Sequence, residues 1–275
     1  MRKDIREDVG EDIREDIRRE LTLADGRTLS YLDFTPDGTG RPLLALHGHL
    51  SEGASFAHLA GTLDGWRVIA PDQRGHGDSD RAPDYHREGY VSDALALMDH
   101  LGLDRVALLG HSLGAINAYH LAAAHPGRVG ALVATDTAAL LPDTGASPLS
   151  FVLGFPYTAP TREELVTACG PLGPMVAPAL RPHADGWRLP FHPQDTVDSE
   201  NLVHGDHWAA WLGSTCPALL IRGAESQVLT AAHAHEMTTR RPATTLVELA
   251  TDHFVQVRDP RGFERAVGEF LAGCR

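Results

Sequence analysis

Apolar runs without polar alternation constrain this chain more than any other feature. Leu43 to Leu46, Val68 to Ala70, Val106 to Leu109, Leu132 to Ala134 and Leu219 to Ile221 are of this kind. A strand lacks a polar face only when its sheet is covered on both sides. Leu246, Val247 and Leu249 add a final strand. Helix-like stretches lie between the runs: Phe56 to Leu63, Gly89 to Leu101, Leu113 to Ala124, Ala231 to Thr239 and Phe263 to Leu271. Strand and helix therefore alternate, which predicts an α/β fold with a mostly parallel sheet and helices on both faces. Ahead of it, Leu21, Leu23, Asp25-Gly26, Leu29, Tyr31 and Leu32 read as an antiparallel edge hairpin. Ligands of such sheets sit beyond the carboxyl ends of the strands, so functional residues belong there.

Two segments break the pattern. Ten of the eighteen prolines fall between Pro142 and Pro193, a density that forbids long helices. Residues 140–215 are read as a cap inserted into a core of residues 20–139 and 216–275, because long stretches without regular alternation are usually lids or binding elements. Within the cap, Thr161-Arg162-Glu163-Glu164 predicts a capping box before a short helix, and Ser199 to Leu212 predicts another helix. At the other end, residues 1–19 form a charged arm in which Ile5, Val9, Ile13 and Ile17 recur every fourth residue. It reads as a solvated arm, with docking against the core or a second subunit, hence homo-oligomerisation, as the alternative.

Composition narrows the partners. The formal charge of −13 repels a phosphate backbone, which argues against nucleic acid. No stretch approaches the ~18 consecutive apolar residues that a membrane helix needs, so no membrane partner is expected. Cys169, Cys216 and Cys274 form an odd set without metal-ligand spacing, and no apolar signal region opens the chain; a reducing cytoplasm is the expected location. His204-Gly205-Asp206-His207 and His233-Ala234-His235 lack a third ligand at a recognisable spacing. Neither metal nor cofactor is expected.

The chemistry centres on Leu108-Leu109-Gly110-His111-Ser112-Leu113-Gly114, a G-x-S-x-G motif between an apolar strand and a helix read as amphipathic. A sharp strand-to-helix turn presents Ser112 in strained dihedrals, and the flanking glycines leave room for it. A serine hydroxyl is a weak nucleophile, so it needs a base and a group that orients the base. His253, after the last strand in Thr251-Asp252-His253-Phe254, is the candidate base. For the acid there are two candidates, Asp136 after the strand Ala131 to Ala134, and Glu225 in the loop Arg222-Gly223-Ala224-Glu225-Ser226-Gln227. Asp136 is preferred because a short carboxylate at a strand end is held more rigidly. A tetrahedral intermediate needs fixed donors for its oxyanion. The backbone N–H groups of Leu113 and of His49, in His47-Gly48-His49-Leu50, are the candidates.

Taken together, His47-Gly48, the run Pro71-Asp72-Gln73-Arg74-Gly75-His76-Gly77-Asp78-Ser79, Gly110-His111-Ser112-Leu113-Gly114 and Asp252-His253 resemble the α/β-hydrolase superfamily over residues 20 to 275. The resemblance implies an eight-stranded sheet with an antiparallel second strand, a cap after the sixth strand, and the order nucleophile, acid, histidine. An acid after the sixth strand resembles a subset that includes small esterases, lactone hydrolases and cofactor-free ring-opening dioxygenases. Asp252 stands where the family often has glycine.

The expected function is therefore a serine hydrolase cleaving a carboxylic ester or lactone. Seven of the seventeen aromatic residues, Phe151, Phe155, Tyr157, Trp187, Phe191, Trp208 and Trp211, lie in the cap; an aromatic roof implies a hydrophobic small-molecule substrate, unless the rings only fasten the cap to the core. Two other readings keep the fold: a cofactor-independent dioxygenase with His253 as base, and a receptor-like module that binds ligand without turnover.

Overall fold

The structure, a computed structural model, describes residues 17–143, 145 and 147–274. Eight strands form the main sheet: β1 (Arg18–Thr22), β2 (Thr28–Asp33), β3 (Arg41–Leu46), β4 (Trp66–Pro71), β5 (Val106–His111), β6 (Val129–Thr135), β7 (Ala218–Gly223) and β8 (Thr244–Leu249). Their order is β1-β2-β4-β3-β5-β6-β7-β8. Strand β2 runs antiparallel to both neighbours, and from β4 to β8 every pairing is parallel. This is the α/β-hydrolase sheet with its antiparallel second strand.

Two-sided cover follows from the period of two along each strand. Leu44, Leu46, Leu108, Leu132 and Leu220 face a cluster containing Leu97 and Met98 of α2 (Arg87–His100, following α1 at Ala57–Thr62) and Tyr119 of α3 (Leu113–Ala124). Leu43, Ala45, Leu109, Val133, Leu219 and Ile221 face Phe56, Leu59, Phe263, Val267 and Leu271 on the opposite side. The helix α3, expected to be amphipathic, is buried almost all round. Trp211 of the insertion lies edge-on to its Tyr119, ring centroids 5.9 Å apart, so the face expected to meet water meets the insertion.

The expected arm ends earlier than residue 19. Arg18 and Arg19 already pair with Leu32 and Tyr31 in the edge hairpin, and Arg18 Nη1 donates to Asp72 Oδ2 at 2.7 Å. Residues 1–16 of the arm, including Ile5, Val9 and Ile13, lie outside the described residues.

The longer α-helices of the insertion among the described residues are α4 (Arg162–Ala168), α5 (Pro193–Asn201) and α6 (Trp208–Leu212). The capping box at α4 forms as expected: Glu164 N donates to Thr161 Oγ1 and Thr161 N to Glu164 Oε2, both at 3.2 Å. The helix expected over Ser199 to Leu212 is instead two. Pro193 starts α5 six residues early, suited to a first helical turn. After α5, Gly205 adopts φ +123°, and Gly205–Asp206 pairs with Leu140–Leu141. Most of the insertion encloses its own apolar cluster, built on Val152, Leu165, Val176, Leu180, Leu189, Phe191 and Val197. Phe155, Tyr157 and Trp187 pack against that cluster, whereas Trp208 and Trp211 join the main core. Ion pairs tie the insertion down: Arg181 to Asp78 at 2.6 Å and to Glu52, Arg188 to Asp78 at 3.0 Å, and Arg81 to Asp195 at 2.6 Å.

Beyond the insertion, α7 (Ala231–Arg240) and α8 (Pro260–Gly273) complete the layers. No helix among the described residues is long and apolar enough to cross a membrane.

Candidate active site

Ser112 sits between β5 and α3 with φ +53° and ψ −119°, outside the regions a side-chain-bearing residue ordinarily occupies. The motif glycines make this turn possible. A β-carbon on Gly110 would stand 2.3 Å from Gly114 O, and one on Gly114 would stand 2.0 Å from Leu46 O. Strand and helix thus touch backbone to backbone, and the serine is pushed up at the carboxyl edge of the sheet, partly exposed.

His253 and Asp136 meet at that edge, Nδ1 to Oδ2 at 2.7 Å. A carboxylate only accepts, so Nδ1 carries the proton and the Nε2 lone pair is left for other work. Asp136 is fully buried, and its other bonds also come from protein donors: Gly223 N reaches Oδ1 at 2.9 Å, and Ser226 Oγ donates to Oδ2 at 2.5 Å. Glu225, the other candidate acid, is exposed; its backbone N–H holds Thr251 O at 2.9 Å. It is the neighbouring Ser226 of that loop that reaches the site.

His111, next to Ser112 in the chain, joins the nucleophile turn to the His253 loop. His111 Nε2 donates to His253 O at 2.9 Å, with ring centroids 4.8 Å apart. Among the described residues no hydrogen bond of 3.5 Å or less joins Ser112 Oγ to His253. Burial pushes His111 down to about 3 and so keeps it neutral, a fixed strut under the histidine loop. Asp252, in the place of the family's glycine, also shapes this loop, since its Oδ1 accepts from Phe254 N and its Oδ2 from Arg258 Nε, both at 2.9 Å.

The loop after β3 passes directly over the serine. A β-carbon on Gly48 would lie 3.2 Å from Ser112 Cβ and 2.8 Å from His111 Nδ1. The backbone N–H of His49 makes no hydrogen bond among the described residues. That of Leu113, first in α3, has no intrahelical acceptor. Neither N–H is engaged among the described residues; Leu113 directly follows Ser112, and His49 follows the Gly48 that packs on it. His47 turns away: its Nδ1 donates to Gly48 O at 2.7 Å and its Nε2 accepts from Gln73 N at 2.9 Å. Burial lowers its pKa to about 4, so it is a neutral brace. The imidazole of His49 points into the insertion, where Nε2 bonds Ser199 Oγ at 2.9 Å and Nδ1 lies 3.1 Å from Glu200 Oε2.

The histidine pairs outside the site are likewise engaged in the protein. His207 Nε2 donates to Val203 O at 2.7 Å and its Nδ1 meets His120 Nε2 at 3.0 Å, while His233 Nε2 accepts from Ala139 N at 3.2 Å. Among the described residues no group of three or more His, Cys, Asp or Glu is placed to hold a metal ion. A groove of about 400 Å³ lined by Arg27, Arg74, Asp84, His86, Glu88 and Asp93 contains none of the site residues, so chemistry rather than cavity size marks the site.

Comparison with known proteins agrees with this fold. A family model described as the alpha/beta hydrolase fold matches residues 41–169. The crystal structure of an E-2-(acetamidomethylene)succinate hydrolase superposes with a TM-score of 0.83 at 27% identity, over 94% of this chain and 99% of that one. The chain belongs to the α/β-hydrolase superfamily. Among curated relatives of this hydrolase, a 2-(acetamidomethylene)succinate hydrolase of Mesorhizobium japonicum is 28% identical over 253 residues, 87% of this chain and 91% of that one. Epoxide hydrolase 2 of Siraitia grosvenorii is 42% identical over 101 residues, covering 35% of this chain and only 32% of its own length.

Proposed function

We propose that this α/β hydrolase cleaves a carboxylic ester or lactone of a small molecule by acyl transfer through Ser112, His253 and Asp136, with residues 140–215 as cap. The observation that carries the reading is the His253–Asp136 bond of 2.7 Å, made at the same sheet edge as a serine in a strained turn. Asp136 holds the Nδ1–H tautomer, so Nε2 takes the Ser112 proton as Oγ bonds to the substrate carbonyl carbon. The carbonyl π electrons move to oxygen, where the N–H groups of His49 and Leu113 receive the oxyanion. Its collapse breaks the bond to the leaving oxygen, which takes the proton from Nε2. Water, deprotonated by the same nitrogen, then adds to the acyl carbon, and the bond to Ser112 Oγ breaks as Oγ takes that proton back, which releases the acid.

The names of relatives widen the range of scissile bonds, since one acts on an acetamido compound and another on epoxides. Ser112 at the turn favours an acyl-enzyme over the alkyl-enzyme that a carboxylate nucleophile forms with an epoxide. The strain at Ser112 favours covalent work over a mere hydrogen-bonding role, and so hydrolysis over the dioxygenase reading. The cap rings are spent on packing, except for half-exposed Phe151; they lend the hydrophobic-substrate reading no support, and it rests on composition alone. The thiols of Cys169, Cys216 and Cys274, buried and unpaired, suit a reducing compartment.

Reaction with a fluorophosphonate followed by peptide mass spectrometry tests the proposal. The adduct is expected on Ser112, and Ser112→Ala is expected to abolish turnover of short 4-nitrophenyl esters. Full activity in that variant rules out the acyl-enzyme.

A further inference from the structure

The segment that carries the second oxyanion donor is anchored in the insertion. On one side of the His49 peptide, the His49 imidazole bonds Ser199 Oγ at 2.9 Å and faces Glu200 Oε2 at 3.1 Å, both on α5. On the other side, Leu50 adopts φ +63° and buries its side chain in the apolar cluster of the insertion, with Leu165, Leu180, Phe191 and Val197. A leucine holds a left-handed conformation only where its surroundings impose it. Ser199 is itself fixed from the core, its Oγ 2.8 Å from Tyr90 OH. Tyr90 and Ser199 are both fully enclosed.

The proton arrangement is consistent along this chain. A carboxylate beside Nδ1 favours the proton there, so Nε2 accepts from the Ser199 hydroxyl, and Ser199 Oγ accepts in turn from Tyr90. Bonds in such a series reinforce one another in a buried setting. The His49 peptide, which follows the Gly48 packed on Ser112, is thereby tied to the position of α5.

We propose that Ser199 and Glu200 are positioning residues that aim the His49 N–H at the oxyanion, so that the carbonyl is activated only while the cap helix is seated on His49. Neither side chain touches substrate; both act through the His49 ring. The inference rests on the assignment of His49 as an oxyanion donor in the proposed acyl transfer, and it makes the cap part of the catalytic geometry instead of a cover for the substrate.

The test compares the full-length wild-type protein with Ser199→Ala, Glu200→Ala and Glu200→Gln. Measurements are steady-state hydrolysis of a 4-nitrophenyl ester, inhibition by a trifluoromethyl ketone of matching acyl length, and thermal midpoints. Removing a whole oxyanion donor lowers kcat by about 100- to 1,000-fold, and misdirecting one is expected to lower it by about 10-fold or more. KM is expected to change less than about 2-fold, because the donor acts on the transition state. Affinity for the ketone, whose serine adduct bears the oxyanion, is expected to fall in step with kcat. Glu200→Gln, which keeps an acceptor beside Nδ1, is expected to recover most of what Glu200→Ala loses.

Unchanged kcat in folded Ser199→Ala and Glu200→Ala, with Ser112 still labelled in the wild type, overturns this inference alone. Loss of kcat with unaltered ketone affinity, or in proportion to a lowered thermal midpoint, also overturns it, since a purely structural role behaves that way. If Glu200→Ala does not fold, the smaller Ser199→Ala change decides. Absence of a Ser112 adduct in the wild type defeats the acyl-transfer reading itself.

Discussion

In the proposed acyl transfer, Asp136 decides how the imidazole is used. Its carboxylate accepts from His253, Gly223 and Ser226 and is fully buried, so it has little freedom to serve another purpose. Asp136→Asn presents an amide that can donate toward Nδ1 and select the wrong tautomer. That variant is expected to lose about 10⁴-fold in kcat, whereas Glu225→Gln, at an exposed position, is expected to stay within about 2-fold. Steady-state kinetics of both variants check this, and the reverse ranking transfers the role to Glu225. The serine and histidine were legible as motif and chain order. The acid was legible only as a pair of candidates, because 117 residues separate Asp136 from His253 and nothing local shows which loop folds toward the ring. The roles of His111 and Ser226 were not legible. For His111 the available signal was its place beside the nucleophile; for Ser226 it was its place in the loop after β7, one residue past the candidate glutamate.

At the scale of elements, the main sheet was readable because strands covered on both faces write their burial directly into composition. The insertion was not. Its elements are short, and much of what holds them is long-range: Arg181 reaches Asp78 and Glu52 across more than a hundred residues of chain. Proline density told where helices stop, yet the break between α5 and α6 depends on Gly205–Asp206 pairing with Leu140–Leu141, which no local pattern encodes. Arg181 is the residue to remove. Its side chain is 11% exposed and it neutralises carboxylates at Glu52, Asp72 and Asp78. Arg181→Ala removes one cation from this carboxylate cluster, in which Arg18 still faces Asp72 and Arg188 still faces Asp78, and is expected to destabilise the fold by about 1.5–3 kcal/mol. Urea denaturation measures it, and a loss under about 1 kcal/mol shows that the clamp contributes little.

For the whole molecule, the buried histidines give stability a pH dependence. Burial lowers the pKa of His47 to about 4, of His111 to about 3, of His120 to about 4, and that of His76 well below its ordinary 6.5. Between pH 6.5 and 4 the unfolded chain therefore binds protons that the folded chain refuses. Stability should be full above about pH 7 and fall as the solution is acidified, by about 2 kcal/mol at pH 5 for an imidazole held near 4. Asp72 and Asp195, lowered in the fold despite burial by neighbouring arginines, add a further loss only below the carboxylate range. Urea midpoints at pH 7.5, 6 and 5 should decline steadily; a flat series means that these imidazoles take up protons without unfolding the chain. The proposed catalysis depends on a different histidine, and its role is read most directly from the rate at which a fluorophosphonate labels Ser112 in the wild type and in His253→Ala. Rapid labelling confined to Ser112 is expected, with a rate lower by about 10³-fold or more without the imidazole. Equal rates in the two proteins, or an adduct on another residue, would refute the proposed Ser112–His253 chemistry.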